Sequence, residues 1–379
     1  MSKPNDLLRR TVQITITENC NLDCSYCYEK NKNTQVMPLE KIQEIFHKSF
    51  KESTKFDEIE FDFHGGEPAL VFPVLREACE WLWAHDWNKP YLCFASTNGT
   101  LVHGKIQEWF EQHKQQFWLG LSVDGTPDMH NINRSDSYYD IDFNFFLRTW
   151  PEQTCKMTIS PATLPSLYDG IVHIHKLGFK YMANLAYGID WPAELREIYC
   201  HELSKLVHFY LTNPEYELPN LFSMNMKGIG HNFFFPERKE SKKWCGSGET
   251  MICYACDGNR YPCQAFMPST SIQEGYKLPT KIDFDSSENF DDPECAACPI
   301  HDVCPTCYAH NYMATGTLYK RPKDLCDFRK IEAMAASYLQ GAMILDPMKY
   351  SFSRGLTPLE LKCVAKGVEI VQNAFKNVV

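Results

Sequence analysis

Val12-Gln-Ile-Thr-Ile-Thr17 runs straight into Glu18-Asn-Cys20-Asn-Leu-Asp-Cys24-Ser-Tyr-Cys27-Tyr28. The first run alternates β-branched with polar residues, which predicts a β-strand. The second is a polar loop whose cysteines are spaced C-x3-C-x2-C. Three thiolates leave a four-ligand zinc shell unfilled. The nearest histidines, His47 and His64, are off the loop. Ferredoxin-type runs use other spacings and supply a fourth cysteine. Three thiolates do suit three irons of a 4Fe–4S cluster, leaving the fourth iron open to a substrate. An open iron at the end of a strand is a catalytic arrangement rather than a structural one.

Three more strand ends follow. Asp57-Glu-Ile-Glu-Phe-Asp-Phe63 leads into His64-Gly-Gly-Glu-Pro68, Tyr91-Leu-Cys-Phe-Ala95 into Ser96-Thr-Asn-Gly99, and Phe117-Trp-Leu-Gly-Leu121 into Ser122-Val-Asp-Gly125. Helical patterns separate them, at about 38–52, 73–85 and 104–114. Strand and helix in repetition predict parallel strands with crossover helices. In such barrels function gathers at the carboxyl ends of the strands. Later strands are expected at Cys155–Ile159 and Lys180–Ala186, and a helix at about 192–211. Asn98-Gly99 alone would suggest a hairpin, which the parallel pattern opposes. Gly65 and Gly66 would let backbone approach a ligand. Glu67 would accept from an ammonium group or cap a turn.

The cysteine loop and the GGEP turn resemble those of the radical S-adenosylmethionine (SAM) enzymes. The resemblance implies an open, partial (β/α)6 TIM-like barrel, an α/β fold, with a lateral cleft wide enough for a peptide. It implies that Cys20, Cys24 and Cys27 ligate the cluster. SAM contacts would fall at Tyr26, Gly65, Gly66, Glu67, Pro68, Ser96, Asn98 and Ser122. Arg134 would pair with the SAM carboxylate, for which a guanidinium is suited. Reductive cleavage of SAM to a 5′-deoxyadenosyl radical is the implied chemistry, with the protein orienting the cofactor and excluding water. An external donor such as flavodoxin or ferredoxin would supply the electron.

The chain has 17 cysteines, nine of them from Cys245 to Cys326. Cys245, then Gly258-Asn-Arg-Tyr-Pro-Cys263, then Cys295-Ala-Ala-Cys298-Pro-Ile-His-Asp-Val-Cys304 resemble the SPASM domain of radical SAM peptide maturases, a smaller cysteine-rich C-terminal domain. The resemblance implies two auxiliary iron–sulfur clusters of 4Fe–4S type. Cys295, Cys298, Cys304 and Cys326 would hold the outer one; Cys245, Cys263 and Cys307 would hold the inner one. Its fourth ligand is Cys253, Cys256 or an open position. Here Cys304-Pro-Thr-Cys307 is C-x2-C where that family has C-x3-C. Paired zinc sites and disulfides are the alternatives. Cys79, Cys93, Cys155, Cys200 and Cys363 lie on apolar or helical stretches and read as packed thiols.

Length and composition suit a barrel plus one smaller domain. The expected division is 1–10 polar lead, 11–220 barrel, 221–330 auxiliary-cluster domain and 331–379 C-terminal helices. Net charge is −10, which disfavours a nucleic-acid partner. No apolar run reaches the roughly 20 residues of a membrane helix, and Met1–Asp6 has no apolar signal core. A cytoplasmic setting without membrane contact is expected. The lead is too short for a fused peptide-recognition domain, so the body or a separate protein would recognise the peptide.

Three function classes follow. The first is a maturase that crosslinks a ribosomally made precursor peptide through a thioether, C–C or C–O bond; a peptide epimerase is its neighbour. The second oxidises a sulfatase Cys or Ser to formylglycine. Those enzymes carry an Asp after the Tyr-Pro-Cys cysteine, where this chain has Gln264. Asp257 and Asp124 are the substitute bases. The third is a non-catalytic iron–sulfur or zinc-ribbon protein, which has no use for GGEP beside a cysteine triplet.

Overall fold

The computed structural model describes residues 7–236, 245–270 and 292–377. Of the polar lead, residues 1–6 lie outside the described residues, as do parts of 221–330. The strands are β1 (Arg9–Thr17), β2 (Glu58–Gly65), β3 (Tyr91–Thr97), β4 (Phe117–Leu121), β5 (Thr154–Ile159), β6 (Lys180–Leu185), β7 (Met251–Tyr254) and β8 (Arg260–Tyr261). The helices are α1 (Leu39–Glu52), α2 (Phe72–Trp83), α3 (Lys105–Gln112), α4 (Pro127–Asn133), α5 (Phe143–Thr149), α6 (Leu167–Leu177), α7 (Leu195–Thr212), α8 (Met226–Phe234), α9 (Tyr308–Thr315), α10 (Cys326–Met343) and α11 (Pro358–Phe375). Among the described residues no helix is long and apolar enough to cross a membrane.

The α/β fold and its parallel strands agree with the sequence. One sheet has the order β4-β3-β2-β1-β7-β8, and β5-β6 form a second. Strands β1 to β4 and β7 pair in parallel. Ser122 bridges Lys156 in parallel, which carries the pairing on from β4 to β5. The sequence did not reveal that Met251–Tyr254 joins β1. Four residues, Cys253 among them, give too short a period to assign.

The strand faces are read from register and burial. Ile59, Phe61 and Phe63 of β2 are fully buried, and Phe61 meets Phe46 of α1 at 4.8 Å. Helix α1 buries Ile42, Ile45, Phe46, Ser49 and Phe50, one face at helical spacing. Each ring so buried contributes about 1.5–3 kcal/mol. The opposite face of β2 carries Glu60, Asp62 and His64, all half-buried. Asp62 is opposite Gln13 of β1 and Phe94 of β3; Gln13 is opposite Cys253 of β7 and Phe94 opposite Trp118 of β4. One row across the sheet therefore reads Cys253, Gln13, Asp62, Phe94, Trp118. The next contains Thr15 and His64.

Two compact units divide the chain. The first is Met1–Val123, Arg134–Lys156 and Cys245–Asp285; the second is Asp124–Asn133, Met157–Trp244 and Ser286–Val379. These bounds differ from a split at 220 and 330, because β7 belongs to the first sheet. In the second unit α10 is largely buried, and α8 and α11 cross closely: a Cβ on Gly230 would lie 1.9 Å from the Cys363 carbonyl oxygen. Thr357 and Glu360 cap α11 reciprocally, as a Thr-Pro-Leu-Glu start predicts.

Candidate functional site

Strand β1 delivers Cys20, Cys24 and Cys27 onto one loop, each half-buried. A tight turn brings the Cys27 N–H to the Cys24 carbonyl at 2.9 Å, and the Leu22 N–H donates to Cys20 Sγ at 3.5 Å. Burial pushes the Cys20 thiol up to about 11. Burial also works against the charge on Lys32, but the fields of Cys27, Cys20 and Cys24 outweigh it and raise its pKa. All three sulfurs thus act on one ammonium group. Among the described residues no three His, Cys, Asp or Glu side chains close tightly enough to hold a single ion. The donor set fits a cluster bound through three thiolates.

The GGEP turn is built against this loop. The N–H of Gly66 donates to the Thr17 carbonyl at 3.1 Å, and that of Glu67 to the Asn19 carbonyl at 2.8 Å. A Cβ on Gly65 would lie 2.3 Å from the Thr17 oxygen; one on Gly66 would lie 2.3 Å from the Asn19 oxygen and 2.9 Å from Cys20 Cβ. The glycines were expected to admit a ligand; here they admit the cysteine loop itself. Glu67 is 1% exposed, and its carboxylate accepts from Ala69 N (3.0 Å), Thr97 Oγ1 (2.7 Å) and Asn98 N (2.7 Å). Burial raises its pKa, against those hydrogen bonds and the charge of Arg134. In this structure the carboxylate ties the β2 turn to the β3 turn, and Pro68 starts a short 3-10 turn behind it.

Two of the other expected SAM contacts, Asn98 and Arg134, reach the same loop. Asn98 Nδ2 donates to Asn21 Oδ1 (2.9 Å), and Asn21 Nδ2 to Thr100 Oγ1 (2.8 Å). Arg134 is buried, with its guanidinium 5.6 Å from the centre of the Tyr26 ring. The Asp23 N–H donates to Ser135 Oγ (3.0 Å). Ser96 Oγ accepts from Lys156 Nζ (2.7 Å), and Ser122 N donates to the Thr97 carbonyl (3.0 Å). The two proposed bases are Asp124 and Asp257. Asp124 is fully buried and accepts from Thr158 N (2.8 Å) and Asn133 Nδ2 (3.2 Å). Asp257 is exposed and closes its own turn, accepting from Asn259 N and Nδ2, both 2.8 Å. Each carboxylate thus has a local structural job.

In the first unit Cys245 is exposed and Cys263 half-buried. Cys253 is fully buried; its Sγ lies 3.7 Å from Thr15 Oγ1 and donates to Met267 Sδ at 3.5 Å. Cys256 Sγ donates to the Thr15 carbonyl at 3.0 Å, and burial pushes its thiol to about 12. In the second unit Cys307 precedes α9. There Cys295, Cys298, Cys304 and Cys326 all line one cavity, together with Arg321, Lys323, Arg329 and Lys330. Lys323 Nζ reaches Cys295 Sγ at 3.3 Å. Buried Asp292 accepts from Cys295 Sγ (3.2 Å) and Arg321 N (3.0 Å). Burial raises the Cys304 thiol to about 11, with Arg321 and Arg329 pulling it back. Four thiols among four cations suit a cluster whose bound form is an anion. Cys200 is half-buried, unlike the other expected packed thiols.

A family model described as a 4Fe–4S single cluster domain matches residues 10–138. The cysteine-type anaerobic sulfatase-maturating enzyme of Clostridium perfringens is 30% identical over 129 residues, 32% of this chain and 34% of that protein. An uncharacterized protein of Methanothermobacter thermautotrophicus is 29% identical over 131 residues, 34% of this chain and 48% of its own. The chain spans between a third and a half of the length of these curated relatives. Native anSMEcpe with bound AdoMet superposes with a TM-score of 0.66 at 17% identity, covering 89% of this chain and 98% of that one. Streptococcus suis SuiB bound to precursor peptide SuiA gives 0.55 at 16%, covering 83% and 75%. At these identities both structures bear on the fold.

Over about a third of its length the chain is thus similar to a 4Fe–4S cluster domain and to sulfatase-maturating enzymes.

Several groups went unnoticed in the sequence. Lys32, Arg321, Lys323, Arg329 and Lys330 look like ordinary surface cations until the thiols gather round them. Glu60, Asp62 and His64 did carry a signal. Strands of parallel sheets are usually apolar on both faces, so the alternation of Glu58, Glu60, Asp62 and His64 along β2 marks a polar face.

Proposed function

We propose that the chain is a radical SAM maturase that cleaves SAM reductively and oxidatively crosslinks a ribosomally synthesised precursor peptide. The observation that carries this reading is the pair of thiol sets. Three thiols stand on a loop locked to GGEP, and four more line one cavity. When bound, the loop cluster and SAM supply a 5′-deoxyadenosyl radical, and auxiliary clusters supply an electron acceptor.

The residues have separate tasks. Cys20, Cys24 and Cys27 hold the radical cluster. Asn21, Gly65 and Gly66 fix the loop against β2 and β3. Tyr26, Ser96, Asn98, Ser122 and Arg134 bound the SAM position, and Glu67 holds its edge rigid. Cys295, Cys298, Cys304 and Cys326 hold the outer auxiliary cluster; Cys245, Cys253, Cys263 and Cys307 are assigned to the inner one. Cys253 has low solvent access, so it serves only if Met267 and Thr15 yield. The ionisable face of β2 orients and deprotonates the peptide. The reaction draws on an external low-potential donor in the cytoplasm.

The test is co-expression with the short peptide encoded beside the gene, followed by mass spectrometry. A crosslink lowers the peptide mass by about two hydrogens, since each new bond removes two. The sulfatase-maturase reading is favoured by the printed activity of the Clostridium relative and opposed by Gln264, whose amide accepts no proton at ordinary pH. Formylglycine in a co-expressed sulfatase would replace the crosslink reading. Unchanged mass with incorporated solvent deuterium would replace it with epimerisation.

A further inference from the structure

Two stretches of the second unit line an open cavity of about 460 Å³. One is the end of β6, with Asn184 and then Tyr187; the other runs from Asn220 to Asn225 and leads into α8. Asp302, Arg329 and Glu332 supply the charged part of the lining. Tyr187, Pro305 and Arg329 also line the cavity of Cys295, Cys298, Cys304 and Cys326, so the two spaces share a wall. The volume is in the range of sites that hold a small ligand or a short stretch of peptide.

The stretch before α8 is pinned from three directions. Asn220 Nδ2 donates to the Ala183 carbonyl and Asn220 Oδ1 accepts from the Ala183 N–H, both at 2.8 Å. Buried Gln340 donates from Nε2 to the carbonyls of Phe222 and Met224, both at 2.8 Å. Asn225 Oδ1 accepts from the Gly228 N–H at 2.9 Å and so caps α8. A site fixed in this way loses little freedom when it is filled.

The charged groups of the lining are engaged within the protein. Arg329 Nη1 reaches both oxygens of Glu332, at 2.9 and 2.7 Å, and Nη2 donates to the Tyr187 hydroxyl at 2.9 Å. Asp302 Oδ2 accepts from Asn232 Nδ2 at 3.0 Å, and its Oδ1 lies 3.0 Å from His301 Nδ1. Two carboxylates against one engaged guanidinium make the cavity a poor place for an anion. What it offers a ligand is neutral. Asn184, Ser223 and Asn225 are all exposed. Asn184 Oδ1 accepts from Asn220 Nδ2 at 3.2 Å, and Ser223 Oγ donates to the Asn220 carbonyl at 2.7 Å. Among the described residues neither Asn184 Nδ2 nor Asn225 Nδ2 donates to the protein. A hydroxyl that donates still has lone pairs with which to accept.

We propose that this cavity grips an extended, uncharged stretch of the precursor peptide by its main chain. This rests on the maturase reading above. Asn184 Nδ2 and Asn225 Nδ2 donate to peptide carbonyls, and Ser223 Oγ accepts from a peptide N–H. Asn220 shows the same pairing within the protein, since its amide meets both main-chain groups of Ala183. Groups that read the main chain tolerate many side chains. The site therefore holds the peptide beside the outer thiol set and leaves the choice of reacting residue to other contacts.

The experiment uses the cluster-loaded full chain and the peptide encoded beside the gene, labelled with fluorescein. Binding is read by anisotropy, without turnover. Asn184→Leu and Ser223→Phe are each expected to weaken binding about tenfold, the scale of one or two lost neutral hydrogen bonds. Each should raise KM more than it lowers kcat, with iron content and melting temperature kept. Within the bound stretch, N-methylation of a peptide amide should cost more than replacement of the same side chain by alanine. In the wild type, the peptide should slow amide hydrogen exchange across residues 183–187 and 220–228, a readout that decides the matter if a variant loses its fold. Affinities within twofold of wild type in both variants, unchanged exchange in those segments, or losses on alanine replacement alone overturn the proposed grip. Binding in the cavity without 5′-deoxyadenosine formation overturns the maturase reading and leaves the cavity as a peptide site.

Discussion

The cysteine loop after β1 and the cysteine cavity of the second unit use one ligand type in opposite ways. The loop offers three thiols that act electrostatically on a single lysine, on a turn tied to its neighbours by backbone and amide hydrogen bonds. The cavity offers four thiols among Arg321, Lys323, Arg329 and Lys330. An incomplete thiolate set with few cations leaves a metal position for chemistry. A complete set ringed by cations holds negative charge stably, which suits taking and passing electrons. The difference lies in count and charge rather than in residue type.

The contrast breaks most severely at the loop. Replacing Cys20, Cys24 and Cys27 together by Ala should abolish 5′-deoxyadenosine formation while the auxiliary iron remains, as read by product analysis and iron content. Full SAM cleavage by that variant would remove the distinction between the two regions. Next in size is the cavity. With three 4Fe–4S clusters the reconstituted chain should hold about twelve irons. Cys295, Cys298, Cys304 and Cys326 all changed to Ser should leave about eight with the loop chemistry intact. Stoichiometric zinc in the wild type would instead make both regions structural.

Gly66→Ala sharpens the loop side. Its Cβ would stand 2.3 Å from the Asn19 carbonyl oxygen, and both partners are backbone. A cost of about 1–3 kcal/mol is expected, the usual range for overpacking. It should be seen as a lowered melting temperature and weaker retention of the loop cluster. The same change at Gly104, where an added Cβ meets nothing within 4 Å, tests that crowding is the cause. Gly104 has φ +52°, so its own cost should come from backbone strain without cluster loss. The smallest effect is electrostatic. Lys323→Met removes a cation 3.3 Å from Cys295 Sγ and should lower the midpoint potential of one cluster without loss of iron. A signal unchanged in redox titration would show that Lys323 does not tune it.

Much of this was legible in the sequence, for reasons that differ by element. Strands β1 to β4 and helices α1 to α3 have long, clean periods and polar turns, so their order and parallel sense followed. The α11 cap followed from Thr357-Pro-Leu-Glu360. The roles of single side chains did not. Glu67 looks the same whether it binds an ammonium group or closes a turn, and its three partners lie up to 31 residues away. Asp124 and Asp257 are both acids before glycines. Only burial and hydrogen bonds distinguish a sheet tie from a surface turn. The β7 strand escaped because four residues carry no reliable period and its partner lies some 240 positions earlier, as the Thr15–Cys253 separation of 238 shows.

That last pairing has a consequence for biosynthesis. The Thr11 N–H bonds the Thr250 carbonyl at 2.8 Å, and β1 is flanked by β2 on one side and β7 on the other. A ribosome adds about 5–20 residues per second, so roughly 12–48 seconds separate the emergence of β1 from that of β7. For that interval the strand that carries the cysteine loop keeps one edge unpaired, and unpaired edges invite aggregation. A pause in translation, or a chaperone that covers this edge, would act on the nascent chain well before any cofactor is delivered.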